Sequence, residues 1–253
     1  MDYKVKELGK FQYIEEGQGE TLLLLHGLFG ALSNFGTIIE HFRKDYRILV
    51  PVLPIYEAPL RELSVGYLKN YVVEFLEAKG ETEKMHVLGN SLGGHVSLFM
   101  ALEEQDRLKS LILTGSSGLF ENTLGNTFPK RKSYTFIERK AEYTFYDPAT
   151  ASKELVDSLF EIVNNNEKAI RVVACARSAI RDNVENRLHN IKVPTLLIWG
   201  KQDRITPPFV GEDFHKGIEK SQLYYIDKCG HAPMMERPDE FNRILSAFLA
   251  HQN

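Results

Sequence analysis

The chain has 253 residues, 43% of them hydrophobic and 26% charged, with a formal net charge of -3; this suits one large buried core or two small ones. So mild a balance leaves no electrostatic footprint for nucleic acid or an anionic membrane, and the short cluster Lys130, Arg131 and Lys132 reads as solvated surface. Two cysteines, Cys175 and Cys229, make neither a disulfide framework nor a metal set; residues 1–10 carry three lysines and no apolar run, so the expected location is the reducing cytoplasm.

Short apolar runs alternate with longer amphipathic ones, the pattern of a mostly parallel sheet flanked by helices. Residues 5–8 and 11–15 read as an opening hairpin, and 21–25 and 47–53 as the next strands. Ser33 or Asn34 is expected to cap a helix running to about Arg43. Over 64–79, Val65, Leu68, Val72, Phe75 and Leu76 recur at helical spacing, and Gly80 ends the run. A strand over 85–88 passes at once into a helix from Ser91 to about Glu104, and a strand over 108–114 follows. Strands at 194–199 and 223–226 and a helix over 239–250 close the chain.

The alternation breaks between Ser117 and Leu188. There Leu155, Leu159, Ile162 and Val163, then Ile170, Val173 and Ala174, follow a helical period. This predicts a core domain from 1–116 and 189–253, with a helical lid at 117–188 inserted between two strands. Such insertions lie over the carboxyl ends of the strands, where ligands bind.

The decisive segment is Gly89-Asn90-Ser91-Leu92-Gly93-Gly94. A buried strand turns into a helix with almost no loop, so the tip residue takes a strained backbone that costs about 1–3 kcal/mol. Neighbours two positions away must be very small, hence Gly89 and Gly93. The turn exposes the Ser91 hydroxyl and sets the Leu92 N–H at a helix N-terminus, aimed at a developing oxyanion. The pattern alone is weak, and Ser91 as a simple helix cap is its bland alternative; the strand before and the helix after give it meaning.

A second oxyanion donor is expected from the loop His26-Gly27-Leu28-Phe29-Gly30, with the Leu28 N–H first and that of Phe29 next. His26 is expected to buttress this loop rather than act as a base. Asp203 stands just past a strand's carboxyl end, and His231 sits on the loop after the following strand. The order serine, acid, histidine lets His231 take the Ser91 proton while Asp203 orients the ring. Asp227 lies too near His231 in sequence to face it, and packing is expected for His95 and Cys229. Phe29, Asn90, Phe120 and Met234 are candidate pocket residues, as are Phe35 and Phe128. Neither a metal-ligand cluster nor a nucleotide fingerprint is present, so no metal and no cofactor are expected.

With these motifs in order, ending Trp199-Gly200-Lys201-Gln202-Asp203 and Gly230-His231, the chain resembles the α/β-hydrolase superfamily over nearly its whole length. The resemblance implies the α/β-hydrolase fold and a Ser91–Asp203–His231 triad. Ser33-Asn34-Phe35, Asn90-Ser91 and Glu236-Arg237-Pro238-Asp239-Glu240-Phe241 are similar to carbon–carbon bond hydrolases of aromatic degradation. The His26–Gly30 loop is more similar to small bacterial carboxylesterases. Haloalkane dehalogenases and epoxide hydrolases of this fold carry an aspartate where Ser91 stands. The segment Pro54-Ile55-Tyr56-Glu57-Ala58-Pro59 departs from the acidic, glycine-rich loop often found there, and is read only as a reshaped pocket wall.

The expected partner is a small-molecule substrate, with no nucleic acid and no membrane. Three functions compete at this stage. A carboxylesterase acting on small apolar esters through an acyl-enzyme on Ser91 comes first, and a hydrolase of a vinylogous dienone carbon–carbon bond second. A small-molecule receptor that keeps a slow triad is the third.

Overall fold

Four consecutive leucines, 22 to 25, are fully buried, so the strand that carries them must be covered on both faces. In the computed structural model, which describes residues 3–29, 32–120 and 130–252, that strand lies inside an eight-stranded sheet. The strands are β1 (Lys6–Leu8), β2 (Phe11–Glu16), β3 (Glu20–Leu25), β4 (Tyr46–Pro51), β5 (Met85–Asn90), β6 (Leu108–Thr114), β7 (Thr195–Gly200) and β8 (Ser221–Ile226). Their order across the sheet is β1-β2-β4-β3-β5-β6-β7-β8. β1 with β2 and β2 with β4 are antiparallel, and every later pairing is parallel.

The period of two along each strand sorts the core into two halves. Leu22, Leu24, Ile48, Val50, Ile112 and Ile198 share one apolar cluster with α1 (Gly36–Phe42) and α9 (Pro238–Ala250). Leu23, Leu25, Leu49, Val87, Leu113 and Trp199 share the other with α2 (Val65–Ala78), α3 (Leu92–Glu103) and α7 (Pro208–Gly217). Between β6 and β7 the chain forms α4 (Tyr134–Tyr143), α5 (Lys153–Asn164) and α6 (Asn166–Arg181). α4 and α5 bury a small cluster of their own around Ile137, Ala141, Val156 and Val163. A short α8 (Pro233–Glu236) precedes α9.

Several local expectations meet their physics directly. Ser64 caps α2, its hydroxyl accepting the Tyr67 N–H at 3.1 Å, and Gly80 ends the helix region at φ +73°. Others are overridden by packing. α1 begins at Gly36 with no side-chain cap; a 3-10 turn over Leu32–Phe35 precedes it, and fully buried Phe35 holds the cap position. On α6 the helical period holds but the buried face is Val172, Cys175, Ser178 and Ala179. Ile170 and Val173 are instead 51% and 43% exposed. α7 went unread because Gly211 breaks its apolar pattern; a Cβ there would lie 3.1 Å from the Trp199 ring, so the glycine serves close packing.

The turn from β5 to α3 leaves no room for a Cβ on either side of its tip. Ser91 has φ 55° and ψ -121°, a combination costly for any residue with a Cβ. A Cβ on Gly89 would lie 2.3 Å from the Gly93 carbonyl oxygen, and one on Gly93 1.9 Å from that of Leu25. Ser91→Gly should therefore be more stable than Ser91→Ala by about 1 kcal/mol, since only glycine relaxes this backbone without strain. Thermal unfolding of the two variants measures the difference; equal stability would contradict stored strain at the turn.

His95, fully buried on α3, donates from Nε2 to the Asp182 carbonyl at 3.0 Å, while Nδ1 has no partner. Burial pushes its pKa down to about 4. The unfolded chain takes up this proton near pH 6.5 and the folded chain only near 4, so stability is full above 6.5 and falls as pH drops between those values. The loss from pH 7 to pH 5 should be on the order of 2 kcal/mol. Urea unfolding of His95→Gln should show a correspondingly shallower pH dependence; an unchanged slope would contradict the assignment.

Candidate active site

The chain runs from β3 outward to β4 and then crosses back to β5 on the other side of β3. Reversals of this kind open a crevice at the carboxyl ends of the two strands, where α/β sheets bind ligands. The loops after β3 and β5, carrying Leu28 and Ser91, are thereby neighbours: a Cβ on Gly27 would lie 3.2 Å from the Ser91 Cβ. The Ser91 N–H donates to the Thr114 carbonyl at 3.2 Å, and its own carbonyl accepts the N–H groups of His95 and Ser117 at 3.1 Å each. These bonds hold the turn in its strained form.

A cavity of about 370 Å³ opens at this point. From the sheet side it is lined by Gly27, Leu28, Phe29, Asn90, Ser91, Leu92 and His231, and from the inserted helices by Ala141, Leu155, Leu159, Cys175, Ala179 and Ile180. Among the described lining residues, Lys140 is the only lysine or arginine. Among the described residues the N–H groups of Leu28 and Leu92 donate to no protein acceptor. Two unmatched donors thus belong to residues that line the cavity beside one hydroxyl.

His26 holds the first of these loops. Its Nδ1 lies 2.9 Å from the Gly27 carbonyl and its Nε2 accepts the Leu53 N–H at 3.0 Å. Only the neutral ring protonated at Nδ1 makes both bonds, and burial lowers its pKa accordingly. His26 therefore buttresses the loop, as expected.

Behind the cavity, His231 Nδ1 lies 2.9 Å from Asp203 Oδ2. Asp203 is itself 3% exposed. Its Oδ1 accepts the N–H groups of Ile205 and Thr206 at 2.8 and 3.0 Å, and its Oδ2 accepts the Thr206 hydroxyl at 2.9 Å. The carboxylate is thus held on both oxygens before it meets the imidazole. Gly115, at φ +50°, leaves room for the ring: a Cβ there would lie 2.9 Å from His231 Nδ1. Asn90 donates to the Thr114 carbonyl at 2.9 Å and to the His231 carbonyl at 3.3 Å. Glu236 accepts the Gly230 N–H at 2.8 Å and the Tyr146 N–H at 2.7 Å, tying the histidine loop to the inserted segment.

Of the expected site residues, Ser91, His231, Leu28, Leu92, Phe29 and Asn90 meet around the cavity, with Asp203 behind His231. Two pocket residues are corrected. Met234 is fully buried in the core half shared with α9, because α8 turns it inward; Met235 lines the cavity instead. Phe120 packs on Phe209 with ring centroids 5.2 Å apart and does not reach the lining. Phe35 is likewise core, and Phe128 lies outside the described residues. Exposed Asp227 accepts a hydrogen bond from Gln202 rather than from His231, and Cys229 is buried, its thiol pKa raised by desolvation. Thr206, Gly115 and Glu236 were missed; the spacing Asp203-Arg204-Ile205-Thr206, suited to a side chain bonding its own turn, was the available signal for the first.

Among the described residues, no cluster of His, Cys, Asp and Glu could hold a metal ion. No helix there is long and apolar enough to cross a membrane.

Residues 20–238 match the family described as alpha/beta hydrolase fold. The chain is 31% identical to Lipase 1 of Psychrobacter immobilis, over 98% of this chain and 84% of that one. It is 29% identical to the 2-hydroxy-6-oxo-6-phenylhexa-2,4-dienoate hydrolase of Comamonas testosteroni, over 96% and 93%. A solved alpha/beta hydrolase from the sediment metagenome of the Mar Chica lagoon, Morocco, aligns at a TM-score of 0.82 and 40% identity, covering 98% of this chain and 99% of that one. With the family match spanning the sheet from β3 to the start of α9, the chain belongs to the alpha/beta hydrolase family and is a hydrolase.

Proposed function

We propose that this hydrolase cleaves small, apolar carboxylic esters through an acyl-enzyme on Ser91, with His231 as general base and Asp203 as the acid that orients it. The observation that carries this reading is the pair of unmatched N–H groups, Leu28 and Leu92, flanking the Ser91 hydroxyl at one cavity. With Nδ1 committed to Asp203, proton exchange with Ser91 falls to Nε2. Oγ attacks the ester carbonyl as its proton passes to His231, and the oxygen that becomes negative is met by the two N–H groups. Collapse breaks the bond to the alcohol oxygen, which leaves with the proton from His231. Water then repeats the sequence, with His231 taking its proton and returning it to Ser91 as the acid departs.

The lining supports the ester class. It is mostly aliphatic and aromatic, and its lone lysine, Lys140, is exposed. The carbon–carbon reading, favoured by relatives named as dienoate hydrolases at 28–29% identity, requires a carboxylate to enter a cavity whose described lining residues include no arginine. We read residues 117–188 as a cap that supplies the apolar wall. A cytoplasmic location is supported by Cys175 and Cys229, both buried and unbridged.

Turnover of short-chain aryl esters by Ser91→Ala should fall at least about 10³-fold. Equal rates for both proteins would overturn the proposal, while faster cleavage of a coloured dienoate than of any ester would favour the carbon–carbon reading. Thr206 touches Asp203 but not the cavity, so Thr206→Val should lower kcat by about 3–10-fold and leave KM within about two-fold. A change confined to KM would contradict the role given to its hydroxyl.

A further inference from the structure

The segment 54–59, which departs from the usual loop after β4, touches the oxyanion loop at one point. The Tyr56 hydroxyl donates to the Leu28 carbonyl at 2.9 Å, and Tyr56 is absent from the cavity lining. In a trans peptide the C=O of one residue and the N–H of the next point in opposite directions within one plane, and no peptide bond here is cis. The Gly27 carbonyl is bound by His26 at 2.9 Å, which fixes the plane containing the Leu28 N–H. The Leu28 carbonyl is bound by Tyr56, which fixes the plane on the other side of the same α-carbon. With both planes held, neither backbone torsion of Leu28 can swing. We infer that Tyr56 is a positioning residue that preorganises the Leu28 N–H for the tetrahedral oxyanion, an inference that rests on the serine-hydrolase reading.

Tyr56 is itself well anchored. The turn is closed by the Ala58 N–H on the Pro54 carbonyl at 2.9 Å and the Ile55 N–H on the Leu53 carbonyl at 2.8 Å. Leu53 in turn donates its N–H to His26, so the two pins share one scaffold. From the inserted helices, Arg171 Nε donates to the Ala58 carbonyl at 3.0 Å, and Ser178 Oγ accepts the Val65 N–H at 2.9 Å. α6 therefore holds the segment near its carboxyl end, at Ala58, and the chain just beyond it, at Val65. Burial raises the phenol's pKa, so Tyr56 remains a hydrogen-bond donor across the working pH range. Preorganised donors are effective because they do not reorganise as charge develops; a Leu28 peptide free to tilt would lose that advantage without weakening substrate binding.

Tyr56→Phe keeps the ring and deletes only the donor. Steady-state kinetics on an aryl ester should show kcat reduced about 5–30-fold, a fraction of the loss from removing an oxyanion donor outright, with KM within about two-fold. The rate of phosphonylation by a fluorophosphonate, whose reaction also builds negative charge on an oxygen, should fall in parallel. The variant's Tm should stay within about 4 °C of wild type, which separates the effect from unfolding. A boronic acid, bound as a tetrahedral adduct, adds an equilibrium readout in which Tyr56→Phe should bind more weakly by the same factor as kcat. Unchanged kcat and phosphonylation, or a loss confined to KM, would overturn the inference while leaving the Ser91 reading intact. A wild-type protein inert to the fluorophosphonate would overturn that reading and this inference with it.

Discussion

The close approach of α3 to the end of β3 is the constraint from which the site follows. Gly93 lies against the Leu25 carbonyl and Gly89 against Gly93, so β5 and α3 meet with no room for side chains and no room for a loop. The residue between them is forced to positive φ. Ser91 is thereby lifted out of the sheet, the first N–H of α3 is left without an acceptor, and the loop after β3 is brought alongside. The hydroxyl and the two N–H groups to which we assign the chemistry come from one steric arrangement.

What distinguishes the Ser91 hydroxyl from a serine buried beside a histidine is access. At the other, amino-terminal end of the central strands, His86 Nδ1 lies 2.7 Å from Ser110 Oγ and its Nε2 lies 3.4 Å from Glu20. That chain has the residue types of a triad, yet Ser110 and His86 are fully buried and neither lines the cavity at Ser91. There the bonds satisfy buried polar groups. The Ser91 hydroxyl instead opens onto a cavity that His231 also lines, and the acid behind that imidazole is saturated with donors from its own turn.

Much of this was legible in the sequence because the determinants are local. The Gly89-Asn90-Ser91-Leu92-Gly93 turn is a steric problem solved within five residues, and Asp203 and His231 each follow the carboxyl end of an apolar strand. The cavity wall was not legible, because it depends on contacts remote in the chain. Met234 and Met235 differ by one residue, and only the seating of α8 on the core decides which enters the cavity. Phe120 packs on Phe209, and α6 buries Cys175 and Ala179 in the core that Ile55 and Ala58 share while its bonds go to Ala58 and Val65. Tyr56 had no pattern to reveal it, since its partner is a backbone carbonyl 28 residues away.

The central claim is that Ser91 carries the acyl group between the two halves of the reaction, and trapping that species tests it most directly. Acid-quenching the protein during turnover of a slowly deacylated aryl ester, followed by mass spectrometry of the digested chain, locates the adduct. The account predicts the mass of the acyl group on the peptide containing Ser91. Turnover accompanied by an acyl group on a different residue, or by none under conditions where deacylation is rate-limiting, would contradict it.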